Sequence, residues 1–256
     1  MLIDLLPLLP LLLMGVVAGL LSGLLGIGGG LVFAPMLLLT GLPPHEALAA
    51  STVAIVPTTL GGTWSHLRQG HLAVRPCLAI GVAAAVSGVA FSRLGGLLQG
   101  WHLLALQALM YAVLTLTIEP RRGASAGAEG PPVPLPGLVA VGGLAGFAGG
   151  LLGVGGGLMM VPLMVKGLRM PLHAAIRLST LAVLCSASAA SVELLSGGRA
   201  DAVMALLLGG SAAMAARWSA ARLDTVSEAR LVLMLRTITV ALALDSGRRG
   251  LQLLLA

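Results

Sequence analysis

The chain has 256 residues, 57% hydrophobic and 9% charged, with a mean hydropathy of +1.02. A soluble domain carries about a quarter charged residues, and apolar runs of about 18 residues or more recur throughout, which excludes a soluble enzyme or regulatory domain. The net charge of +6 does not mark a nucleic-acid binder, because the 15 Lys and Arg residues sit mainly between apolar runs, where they set membrane orientation.

The N-terminal stretch MLIDLLPLLPLLLMGVVAGLLSG is as hydrophobic as a signal peptide. It lacks a basic leading region, carries Asp4, and has no small-residue cleavage site, so it is expected to remain as the first span. Apolar segments follow at Leu5 to Leu39, Ala47 to Leu67, Pro76 to Leu94 and Trp101 to Ile118. The stretch EPRRGASAGAEGPPVP, residues 119–134, has no periodic apolar face and reads as an exposed linker. Beyond it lie Leu135 to Val165, Leu172 to Leu195, Ala202 to Ala216 and Arg230 to Leu244. Cys77 and Cys185 fall in separate segments without metal-like spacing and read as small core residues.

The two halves share an ordered phrase. Gly26, Gly28, Gly29, Gly30 and Pro35 match Gly153, Gly155, Gly156, Gly157 and Pro162 at one constant offset. After Pro44 and Pro171 the register slips by one residue, and His45, Ser51, Thr52 and Gly70 then match His173, Ser179, Thr180 and Gly198. Duplication explains this order. The expected fold is all-α: a polytopic transmembrane helix bundle of about eight spans in two homologous four-helix repeats, 1–118 and 135–256, each with a broken first helix. An even span count per unit predicts parallel repeats.

Each glycine phrase lies inside an apolar stretch longer than one span needs. Glycine costs roughly 1 kcal/mol relative to alanine within a helix, so three in a row predict an unwound break, with Pro35 and Pro162 near the start of the helix that resumes. Unwound backbone at membrane depth must be buried in protein or line a watery cavity. A helix beginning there aims unpaired N–H groups and a positive dipole end at what precedes it, which suits an anion. The competing reading is that these glycines only permit close helix packing. The symmetric recurrence favours a site at Gly28, Gly29, Gly30, Gly155, Gly156 and Gly157.

Ser51, Thr52, Ser179 and Thr180 fall early in the next helix of each half, where their hydroxyls either donate to a bound oxyanion or bond back to a carbonyl of their own helix. Arg177 stands where the first half has Ala49. It either strengthens an anion site or snorkels to the interface. Glu193 and Arg236 read as structural pairing or snorkelling residues. The histidines have no metal-ligand spacing, and no G-x-S-x-G elbow, P-loop or paired-carboxylate motif occurs. No cofactor is therefore expected, and an intramembrane enzyme lacks residues to carry a reaction.

GIGGG followed by Pro35, GVGGG followed by Pro162, Ala50-Ser51-Thr52 and Ser179-Thr180 together resemble the sulfite exporter TauE/SafE family, also called the toluene sulfonate uptake permease family. The resemblance covers nearly the whole chain, although that family's hydroxyl pair usually reads Thr-Ser. It implies a multi-pass permease of the cytoplasmic membrane for sulfite, sulfonates or related organic anions. A proton or sodium gradient is the implied coupling ion source, and lipid and the small anion are the implied partners. A structural or accessory membrane subunit is the alternative, and it would show both glycine phrases packed with no cavity between them. The oligomeric state is not legible. With eight spans, Arg68, Arg75, Arg121, Arg122, Arg199, Arg248 and Arg249 share one side, opposite Arg93, Lys166, Arg169, Arg217 and Arg222. The positive-inside rule then predicts cytoplasmic termini.

Overall fold

The computed structural model describes residues 9–70, 74–117, 134–153, 155–198 and 201–255, and among these every regular element is helical. The expected linker lies outside the described residues except for Pro134, as do residues 1–8 of the expected first span. The first half holds α1 (Leu9–Leu25), α2 (Gly30–Leu39), α3 (Pro44–Arg68), α4 (Val74–Gly95) and α5 (Gly100–Thr117). The second holds α6 (Leu135–Leu152), α7 (Gly157–Pro162) continued by a π turn over Leu163–Gly167, α8 (Leu172–Ser196), α9 (Ala202–Ala220) and α10 (Glu228–Leu255). By length and composition, Arg75–Gly95, Leu135–Leu152, Leu172–Ser196 and Ala202–Ala220 are long and apolar enough to cross a membrane. At about 1.5 Å per residue, each covers roughly the 30 Å of a hydrocarbon core.

Small residues set how these helices pack. Gly15, Gly19 and Gly23 line one face of α1, and a Cβ on any of them would collide with the backbone or a serine of α9 between Leu208 and Ala220. Gly142, Gly146 and Gly150 do the same for α6 against α4 between Ile80 and Gly88. Such four-residue spacing lets backbones approach to van der Waals contact, which is the main source of helix association where lipid removes the hydrophobic drive.

The same contacts fix direction. Advancing along α1 from Gly15 to Gly23 advances along α9, and Gly61 of α3 against Ala213, with Gly209 against Pro57, makes α3 parallel to α9 as well. By the same reading α6, α4 and α8 run together, with Gly81 against Cys185. Between the two sets, the Ser191 hydroxyl donates to the Thr52 carbonyl at 3.4 Å while Gly62 meets Thr180, so α3 and α8 are antiparallel. α1 and α3 therefore point the same way, and α2 must return toward the end of the bundle from which α1 came. The second half repeats this pattern upside down. The parallel arrangement expected from an even span count is corrected: each broken stretch doubles back, leaving an odd number of crossings to the helices that follow it.

One end of the bundle joins the C-terminal ends of α3 and α9, where the Gln69 amide donates to the Ala221 carbonyl at 3.3 Å. The other joins the C-terminal ends of α4 and α8 through Arg93 and Glu193, 3.0 Å apart, and those of α2 and α10 through Arg249 and the Leu38 carbonyl, 3.2 Å apart. These are called the Arg68 end and the Arg93 end below. Arg68 and Arg75 thus share an end with Lys166, Arg169, Arg217 and Arg222, while Arg93 sits with Arg248 and Arg249. This corrects the expected partition of charge for these residues; Arg121, Arg122 and Arg199, which it also included, lie outside the described residues.

Candidate functional site

The two breaks are built alike. Gly26, Gly28 and Gly29 have φ of 67°, 76° and 83°, and Gly153, Gly155 and Gly156 have 64°, 79° and 70°, a left-handed region that costs other residues roughly 1–2 kcal/mol each. Three such residues in four reverse the chain within one short segment. Pro35 and Pro162 lie at the sixth residue of α2 and α7 rather than at their starts. Each withholds an N–H from the carbonyl four residues back, and past Pro162 the helix relaxes into its π turn.

The break segments cross side by side in the middle of the molecule. Gly26 lies against Ile176 and Ser179, Gly28 against Ile55, Thr59 and Val183, and Gly157 against Gly26 and Ile27. Ile55 and Val183, matched positions on α3 and α8, pack against both segments, since Gly155 also meets the two of them. All six expected site glycines are buried. The glycine phrases are thus brought together, but in direct contact rather than around a shared open chamber.

The serines tie the halves reciprocally. The Ser51 hydroxyl lies 3.1 Å from the Gly153 carbonyl and 3.4 Å from that of Gly30. The Ser179 hydroxyl lies 2.9 Å from the Gly26 and Ile176 carbonyls. Each serine thereby caps the last carbonyls of the helix broken in the other half, groups otherwise orphaned at a helix C-terminus. Thr52 and Thr180 instead donate to Leu48 and Ile176 of their own helices, both at 2.9 Å. Of the two readings left open for the hydroxyls, this conformation displays bonding to backbone carbonyls at all four residues.

The N-terminal ends of the resuming helices carry free donors. Val32 and Phe33 bond back to Gly29, and Met159 and Met160 to Gly156. The N–H groups of Gly30, Leu31, Gly157 and Leu158 have no hydrogen-bond partner among the described residues. Buried orphan N–H groups are rare in folded proteins and costly. Among the described residues these N–H groups, at matched positions of the two halves, find no acceptor at the ends where each helix dipole is positive.

Arg177 lies in the second turn of α8 near the Arg68 end, and one guanidinium nitrogen meets both Asp224 carboxylate oxygens, at 2.5 and 2.7 Å. Its charge is therefore neutralised locally. Glu193 is paired with Arg93, and Arg236 is exposed on α10. From the Arg93 end, a narrow cleft of about 50 Å³ lined by His45, Thr52, Ser92, Gly150 and Gly153 reaches the break that follows α6. The sequence does not mark His45 and Ser92 as lining residues, because the cleft depends on α3 and α4 both packing against α8. Among the described residues no group of His, Cys, Asp or Glu is arranged to hold a metal ion.

An all-helical bundle with apolar helices of membrane-crossing length and interlocked helix breaks at its centre is a multi-pass membrane protein. The chain belongs to the sulfite exporter TauE/SafE family, whose model matches residues 11–245, and it is a membrane transporter of that family. It is 30% identical over 174 residues to a probable membrane transporter protein of Xylella fastidiosa, covering 66% of this chain and 67% of that protein. Over 58 residues it is 47% identical to a probable membrane transporter protein of Methanocaldococcus jannaschii, covering 23% and 22% of the two chains. No solved structure matches.

Proposed function

We propose that the chain is a secondary transporter of the cytoplasmic membrane that carries small anions such as sulfite, sulfonates or related organic acids, driven by a proton or sodium gradient. The observation that carries this reading is the matched N–H groups of Gly30, Leu31, Gly157 and Leu158, which find no acceptor among the described residues and face one crossing at the middle of an antiparallel pair of half-chains. Broken helices whose N-terminal ends meet near the midplane suit an anion, and inverted halves suit alternating access. In the present conformation Ile55 and Val183 fill the crossing. Substrate enters when the halves part, and the cleft at His45 and Thr52 is its approach from the Arg93 end. Arg177 raises affinity only if Asp224 lets go.

The reading is tested in proteoliposomes under an imposed ion gradient. Radiolabelled sulfite or toluenesulfonate should accumulate or leave, an amine of similar size should neither move nor compete, and Val183→Trp, which wedges the crossing shut, should lower flux at least tenfold in protein that still purifies as a single species. The direct contact between the glycine phrases favours a second reading, an accessory membrane subunit. That reading requires no gradient-dependent flux of any small anion.

A further inference from the structure

The helices α3 and α9 meet so closely that a Cβ on Gly61 would overlap the Ala213 backbone, and their outward side forms a continuous groove. Its lower part is lined by Pro57, Leu60, Gly61, Ala213 and Met214, and its upper part by Trp64, Trp218, Arg68, Arg217 and Arg222. Trp64, Met214 and Arg217 line both parts, each of which encloses about 510 Å³, within the roughly 300–1,000 Å³ of small-molecule sites. Leu60, Trp64, Met214 and Trp218 are half or more exposed, at 51%, 50%, 72% and 56%, so the groove opens outward, where lipid lies.

The upper part gathers cations without anions. Arg68 sits 5.2 Å from the Trp64 ring centre and Arg222 3.8 Å from that of Trp218. Among the described residues, none of Arg68, Arg217 and Arg222 pairs with a carboxylate. Asp224, two residues beyond Arg222, is held by Arg177. Tryptophan prefers the membrane interface, and basic residues between helices just beyond it recruit anionic head groups.

We propose that this groove is a binding site for an anionic phospholipid. Its phosphate is held by Arg68, Arg217 and Arg222, its glycerol backbone lies at the level of the two tryptophans, and an acyl chain runs down over Leu60, Gly61 and Met214. A zwitterionic lipid fits the apolar part but brings an ammonium group beside three arginines, which is unfavourable.

Purified protein in a neutral detergent is titrated with phosphatidylglycerol, cardiolipin, phosphatidylcholine and glycerol phosphate, following thermal unfolding and lipid retention by native mass spectrometry. The anionic lipids should raise the unfolding temperature by several degrees and be retained at least tenfold more than phosphatidylcholine. Arg68→Ala/Arg217→Ala/Arg222→Ala should lose that preference, and Leu60→Trp, which fills the lower groove while leaving the arginines, should weaken lipid without altering the wild-type fold. Single Arg217→Ala gives the same reading if the triple variant does not purify. Equal retention of anionic and zwitterionic lipid overturns the proposal, as does an equal response to glycerol phosphate alone. So does a cross-link between copies through Leu60→Cys and Met214→Cys that excludes lipid, which would make the groove an interface between two chains.

Discussion

Glycine substitutions at left-handed positions separate the cost of backbone conformation from that of crowding. Gly70 has φ of 70° with nothing within 4 Å of an added Cβ, so Gly70→Ala should cost only the left-handed penalty of about 1 kcal/mol. Gly29 adds a clash with the Phe33 ring at 2.8 Å, which a side-chain rotation relieves in part. At Gly156 the new methyl falls on the Ala145 carbonyl, a backbone group that cannot move without displacing α6. Thermal unfolding in detergent should rank the loss as Gly156→Ala greatest, Gly29→Ala intermediate and Gly70→Ala least. The hydroxyl pairs make a related point about what a sequence conveys. Ser51-Thr52 and Ser179-Thr180 were visible as matched donors, but that the serines reach across to the other half while the threonines turn back on their own helix depends on which face meets the neighbouring break.

At the scale of elements, the breaks were legible because three glycines in a row interrupt an apolar run longer than one span needs. Their return direction was not, since the sign of φ is set by packing against α8 and α3, far away in sequence. The Gly15, Gly19, Gly23 and Gly142, Gly146, Gly150 ladders went unread although their four-residue spacing recurs at one constant offset between the halves. That offset was the signal available. Because the α4 backbone occupies the space over Gly146, Gly146→Leu should leave each helix apolar enough to insert but prevent α6 from seating. The expected outcome is full membrane recovery with protein that aggregates on size exclusion. A monodisperse, thermally unaltered variant would mean that the ladder tolerates separation.

The whole molecule carries its charge unevenly once the returns of α2 and α7 are recognised. Arg68, Arg75, Lys166, Arg169, Arg217, Arg222 and Arg230 gather at one end, opposed by Asp224 and Glu228. The other end holds Arg93, Arg248 and Arg249 with Glu46, Glu193, Asp201 and Asp245. Counting each broken stretch as one crossing had mixed these sets and left almost no bias. The positive-inside rule now puts the Arg68 end in the cytoplasm and the end of α10 on the opposite side. A phosphatase reporter fused after Ala256 should therefore be active outside the cytoplasm, and a green fluorescent fusion at the same point should be dark. The opposite pattern would return the termini to the cytoplasm.

The exchange of serine bonds between the halves has a mechanical meaning. Ser51 and Ser179 lie on opposite sides of the Ile55 and Val183 level, because α3 and α8 run in opposite directions, so in the proposed transport cycle the two bonds would act as catches on two separate doors. If the halves part as proposed, opening toward the Arg93 end releases the Ser51 catch and leaves that of Ser179 closed, and the reverse holds for the other door. A buried hydrogen bond contributes about 1 kcal/mol net, enough to shift a balance between two such states by about fivefold. In a background lacking Cys77 and Cys185, Ser51→Ala should speed thiol labelling of Ile55→Cys from the Arg93 side only, and Ser179→Ala that of Val183→Cys from the Arg68 side only. Equal acceleration from both sides would reduce the serines to static fasteners.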